Sequence, residues 1–154
     1  MSAGSQAGAA NGWLVAAGVG SVAAAVLHLA AIVGGPGWYR AFGAGERIAR
    51  MAEAGWWTPP LLTMGIAAIL LGWAAYAFAG AGLIPRLPLM RTALAAITLV
   101  LIVRGMALFW PGMLRRNDLT PAFIAWSSGI VLMLGILYAV GTWRAWPSLV
   151  TEGR

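Results

Sequence analysis

Four apolar stretches, each close to the roughly 20 residues a helix needs to cross a bilayer, leave this chain little choice of fold. They run from about Trp13 to Gly34, Thr58 to Gly80, Leu87 to Trp110 and Thr120 to Trp143. Their ends carry helix punctuation. Gly34, Gly35, Pro36 and Gly37 stop the first, and Pro111 with Gly112 stops the third. Thr58-Pro59-Pro60 and Thr120-Pro121 open the second and fourth, where the missing proline N–H would be unbonded anyway. The expected fold class is therefore an all-α integral membrane protein: an antiparallel four-transmembrane-helix bundle with a short amphipathic interfacial helix between spans one and two.

Composition agrees. Only 9% of the 154 residues are charged, against about 25% in an ordinary soluble domain, and the mean hydropathy is +0.83. One membrane domain is expected over residues 13–143, after a small polar segment 1–12 read as disordered and before a polar tail, 144–154. Segment 1–12 lacks the basic start of a secretory signal, so the first apolar run reads as a retained span. The general look is that of small four-span bacterial proteins of the inner (plasma) membrane, but no motif attaches the chain to a characterised family.

The charge and residue types narrow the function. The net charge of +6 comes from arginine alone, and the arginines lie between apolar runs, where lipid head groups rather than nucleic acid would meet them. The loop between spans two and three is purely basic, whereas Glu46 and Glu53 interleave the arginines of the first loop. That asymmetry places both termini in the cytoplasm. Absence of cysteine removes thiolate metal sites, disulfides and thiol nucleophiles. A single histidine without clustered carboxylates makes a poor metal site, so no metal and no cofactor is expected. No metalloprotease, serine-hydrolase or phosphate-loop motif is present, and no catalytic residue is assigned.

Two polar residues interrupt the apolar runs. His28 in the first and Arg104 in the third each lie six residues before the end of their span, which puts them at one depth if those spans run parallel. Small-residue stripes are expected to mark the inward faces, because lipid gives helices no hydrophobic reason to associate. The stripes are Ala17, Ser21, Ala24, His28 and Ala31; Gly65, Ala68, Gly72, Ala75 and Ala79; Ala93, Ala96, Val100, Arg104 and Ala107; and Ser128, Val131, Gly135, Tyr138 and Thr142. On that reading His28 and Arg104 face the interior.

Thr63, Trp126, Ser127 and Ser128 are expected at the same level, under a loop helix that brings Tyr39, Arg40, Glu46 and Glu53. An arginine inside a span costs at least ~2.5 kcal/mol near the bilayer centre and so calls for a partner. Its planar fork suits a carboxylate or phosphate. The leading expectation is a non-enzymatic protein that binds a lipophilic or anionic, lipid-like small molecule in this polar pocket, with membrane lipids as its surroundings. An oligomeric small-solute transporter and a structural subunit of a membrane complex are the alternatives. A lipid-acting enzyme ranks last, since it would need His28 within hydrogen-bond reach of Ser127 or Ser128.

Overall fold

The computed structural model describes residues 10–106, 109 and 121–149. Over them the chain forms α1 (Gly12–Gly34), α2 (Pro36–Ala41), α3 (Glu46–Glu53), α4 (Thr58–Gly80), α5 (Met90–Met106), α6 (Pro121–Ala145) and a terminal 3₁₀ turn, Trp146–Leu149. There is no strand among the described residues. Residues 1–9, the end of the third apolar run with Ala107, the loop holding Arg115, Arg116 and Asp118, and residues 150–154 lie outside them.

Helix limits follow local chemistry. Asn11 caps α1 by accepting from the Leu14 N–H at 3.4 Å. At the other end Gly35 takes φ +69°, a conformation cheap only for glycine, and its N–H donates to the Ala31 carbonyl. Pro36 can then open α2. The single loop helix expected from the sequence is instead two short helices, α2 and α3, separated by a turn that includes Gly43 and Gly45. Phe123 of α6 packs where a Gly43 side chain would stand, which lays this loop over the start of α6.

Three helical segments are long and apolar enough to cross a membrane: Gly12–Gly34, Thr58–Gly80 and Pro121–Leu149. Their outward residues are those a soluble protein would hide, among them Val19, Leu27, Val33, Leu61, Ile130 and Met133. α5 is described over 17 residues.

The long helices pack as two antiparallel pairs, α1 with α4 and α5 with α6, joined along α1 and α6. Glycines set how closely they approach. A Cβ on Gly105 would stand 2.7 Å from Leu132 Cα, and one on Gly135 would stand 3.2 Å from the Ile102 backbone N, so each helix of that pair notches into the other. Leu14 fills a corner left by Gly80 and Gly141. The main core, with Leu14, Ala77, Leu94, Leu134 and Tyr138, lies in the half of these packed helices near the described N-terminal end. A smaller cluster of Ala25, Ala67 and Leu70 occupies the other half.

Within the main core the Ser21 and Tyr138 hydroxyls share a buried hydrogen bond of 2.9 Å across α1 and α6. Removing either hydroxyl strands the other, so Ser21→Ala and Tyr138→Phe are each expected to cost about 1 kcal/mol. The double variant should cost less than their sum. Equilibrium unfolding in micelles reads this cycle, and strict additivity would dismiss the bond as a contributor.

Two expectations about faces are corrected. On α4 the buried line is Pro59, Thr63, Ala67, Leu70, Ala74 and Ala77, while Gly65, Ala68 and Gly72 point outward. On α5 the buried line is Met90, Leu94, Ile97, Leu101 and Gly105, while Ala96, Val100 and Arg104 are exposed. Both helices carry small residues on more than one face, and the better fit against α1 and α6 decided which face turned in. Past Arg144, Ala145 and Leu149 are buried, and the Trp146–Leu149 turn lies against α5. Arg91 donates to the Trp146 carbonyl at 2.8 Å and lies 5.0 Å from its ring centre, so this arginine ties the turn down rather than standing free for head groups.

Candidate functional site

The polar residues singled out by the sequence resolve into separate groups. Arg40 at the end of α2 is held by both loop carboxylates. Its Nε and Nη1 donate to Glu46 and Glu53, each at 2.8 Å, and Arg50 donates to Glu46 at 3.1 Å. These hydrogen bonds hold the Glu46 carboxyl down at about 2, with Arg40 the larger influence and Arg50 the next, and they raise Arg40. A carboxylate held below its usual range contributes to the closed loop above that range and ceases to do so as pH falls toward 2. The clasp is therefore intact at neutral pH and opens only in acid. Arg40→Gln should move the Glu46 midpoint up toward the ordinary carboxylate range near 4.5, as read by NMR titration of labelled glutamate. An unmoved midpoint would remove Arg40 as the cause.

Because Glu46 and Glu53 are committed to Arg40, they are not the partners of Arg104. Arg104 donates from Nη1 to the Ser128 hydroxyl of α6 at 3.2 Å. Ser128 is fully buried, whereas Arg104 is exposed, against the expectation that it faces the interior. Its turn of α5 lies beside Gly105, where α5 and α6 touch closely enough to bring the two side chains together.

His28 keeps its expected place on the inward line of α1 with Ser21, Ala25 and Ala31, and is half-buried. Its Nδ1 lies 2.7 Å from the Ala24 carbonyl. A carbonyl can only accept, so in this contact Nδ1 carries the proton and Nε2 faces away from the bond. No hydrogen bond joins His28 to Arg104, Ser127 or Ser128 among the described residues. Ser127 donates weakly to Ile124 O at 3.4 Å, and Thr63 donates to Pro59 O at 2.8 Å. Each hydroxyl thus serves its own helix, and Trp126 is 72% exposed. Tyr39 is buried, and its hydroxyl has no partner among the described residues.

Two hollows open on the surface of the described residues. An open one of about 520 Å³ lies against the outer side of α3, between Arg47, Arg50 and Trp56, the residue types that meet lipid head groups. The other, of about 390 Å³, is an apolar seam between α4 and α5. Sequence reasoning missed that seam. The signal was present in the small residues of both helices, but such residues can close a contact or line a gap, and their spacing is the same in either case.

No family model matches this chain, and comparison with curated proteins and with solved structures gives no match.

Proposed function

We propose that this protein is an integral membrane protein with α1, α4, α5 and α6 as its four spans and its termini on the cytoplasmic side. On this reading it binds an anionic, lipid-like molecule near the opposite membrane face. The observation that carries it is the state of Arg104: an exposed guanidinium whose described hydrogen bond goes to a neutral hydroxyl, while Glu46 and Glu53 answer Arg40. A cation on a spanning helix with spare donors favours an acidic group at that depth, and it can reach toward the head-group layer along its flexible stem. Ser128 steadies the guanidinium from the α6 side.

The test is lipid retention. Arg104→Gln keeps the length and hydrogen-bonding ability of an exposed side chain, so the fold should persist. Acidic lipid carried through purification should fall by about tenfold, the effect of losing one charge-assisted interaction of about 1.4 kcal/mol. Unchanged retention of acidic lipid by a folded variant would end this reading.

A second reading, a subunit in a homo-oligomer or membrane complex, is favoured by one observation. Gly65 and Gly72 point outward on α4, and a methyl group added at either would meet nothing within 4 Å; small residues on a helix face admit another helix. Mass measurement in lipid nanodiscs separates the two, since this reading requires a defined assembly.

A further inference from the structure

We infer that the hollow on the outer side of α3 receives the phosphate of an acidic membrane lipid on Arg47 and Arg50, and that the Arg40 clasp behind it keeps those two charges available. This rests on the reading of α4 as a membrane span and is independent of Arg104.

The first support is how α3 sorts its charges. Glu46, Arg47, Arg50 and Glu53 share one helix of 8 residues. Arg47, Arg50, Met51 and Ala54 follow the i, i+3, i+4, i+7 pattern of a single helical face, and all four line the hollow. The acids are drawn onto Arg40 instead. Glu46 Oε2 accepts from Arg40 Nε at 2.8 Å, and its Oε1 accepts from Arg40 Nη2 at 3.0 Å and from Arg50 Nε at 3.1 Å. Glu53 accepts from Arg40 Nη1 at 2.8 Å. Glu46 borders the hollow as well, but both of its oxygens are engaged by guanidiniums.

Donors remain on the outer face. Arg50 uses Nε on Glu46 and keeps the N–H groups of both terminal nitrogens, on a side chain that is 76% exposed. Arg47 has no hydrogen bond or ion pair among the described residues. Three arginines and two glutamates occupy this loop, so one positive charge is unanswered there, and its complement is an anion. Two guanidiniums one helical turn apart suit the several oxygens of a phosphate.

The second support is the corner that closes the hollow. Gly55 takes φ +73° after the end of α3. Its N–H donates to Ala52 O at 3.1 Å, and the Trp56 N–H donates to Met51 O at 3.0 Å. These are the paired bonds of a Schellman turn, which characteristically brings together the two side chains at these positions, here Trp56 and Met51. Both stand in the wall of the hollow, beside the two cations.

Depth names the source of the phosphate. Trp56 comes two residues before Thr58, where α4 begins, and Trp57 between them is 78% exposed. The outward Leu61 and Leu62 follow at once. Tryptophans at the end of a span lie in the head-group layer, so lipid phosphates surround the protein at the level of Arg47 and Arg50. The hollow, of about 520 Å³, falls within the roughly 300–1,000 Å³ of small-molecule sites. It is open outward, so a head group can enter while its chains stay in the bilayer.

The experiment is NMR of the arginine Nε–H groups in the full chain, in phosphatidylcholine bicelles titrated with phosphatidylglycerol. The Arg47 and Arg50 signals, assigned by their loss in Arg47→Gln and Arg50→Gln, should shift and saturate with about a tenfold preference for phosphatidylglycerol. Arg47→Gln should lower the preference read at Arg50 by about fivefold, the effect of one arginine at an acidic surface. Arg40→Gln should lower it by a similar factor, because Glu46 and Glu53, still ionised at neutral pH, then turn to Arg47 and Arg50. Glu46→Gln should raise it, although it too breaks the clasp. A fall in both clasp variants would mean that the clasp only orders the loop, and would overturn its role in freeing the charges. Equal shifts with and without phosphatidylglycerol would overturn the site. The same shifts produced by inorganic phosphate in phosphatidylcholine bicelles would overturn the lipid as occupant. Failure of the protein to enter bicelles would overturn the span as well. The readout is confined to α3, so it stands or falls separately from lipid retention at Arg104.

Discussion

Gly105→Leu should separate α5 from α6 and cost about 3 kcal/mol or more, at the upper end of what overpacking does. The Cβ alone would stand 2.7 Å from Leu132 Cα and Cβ and 2.8 Å from its backbone N. These atoms cannot swing aside as the tip of a side chain can, so the helices must part. Parting them also lifts Gly135 off Ile102 and pulls Ser128 away from Arg104. Helix propensity favours the substitution by less than about 1 kcal/mol and does not offset the clash. Gly72→Leu is the matched control, because the same change there enters open space. Reversible unfolding in mixed micelles should find the first variant much weakened and the second near the parent. Equal stabilities would mean that α5 and α6 are not in close contact.

Leu14→Ala is expected to cost about 2 kcal/mol, the low end of the range for a buried leucine. In a bilayer the transfer part of that range largely disappears, since lipid is as apolar as leucine, and lost packing contacts remain. Leu14 is fully buried, with its Cγ 2.7 Å from where a Gly141 Cβ would be and its Cδ1 2.9 Å from where a Gly80 Cβ would be. Gly141→Ala alone should therefore be destabilising, and combined with Leu14→Ala it should cost less than the sum by about 1 kcal/mol. Relief is partial, because the Leu14 backbone N, 3.0 Å away, stays in place. Strictly additive effects in the unfolding cycle would show that the corner is not shared.

The contrast between these positions and Gly72 explains what could be read in advance. Helix limits were legible, because proline and glycine sit where α1, α4 and α6 begin or end and leave few alternatives. The inward faces of α1 and α6 were legible too, through Ser21, Ser128 and Tyr138, since a hydroxyl in an apolar span is driven toward another polar group. On α4 and α5 the guide was small size alone. The face of α4 that packs, Ala67, Ala74 and Ala77, is as small as the one that does not, so only the shape of the neighbouring helices separates them. The same ambiguity turned Arg104 outward. The loop was illegible for another reason: charge order along the chain allowed Glu46 and Glu53 to reach either Arg40 or Arg104, and the turn between α2 and α3 gave both to Arg40.

Asn11 shows how the order of the chain bears on its assembly. Its side-chain oxygen caps α1, its side-chain amide donates to Gly141 O at 2.8 Å, and its backbone N–H donates to Ala81 O at 3.3 Å. One residue at the head of the first helix therefore bonds to the end of the second long helix and to the last. During synthesis Asn11 is made before either acceptor, so its cap on α1 can form at once, whereas its bond to Ala81 O awaits the end of α4 and its bond to Gly141 O awaits α6.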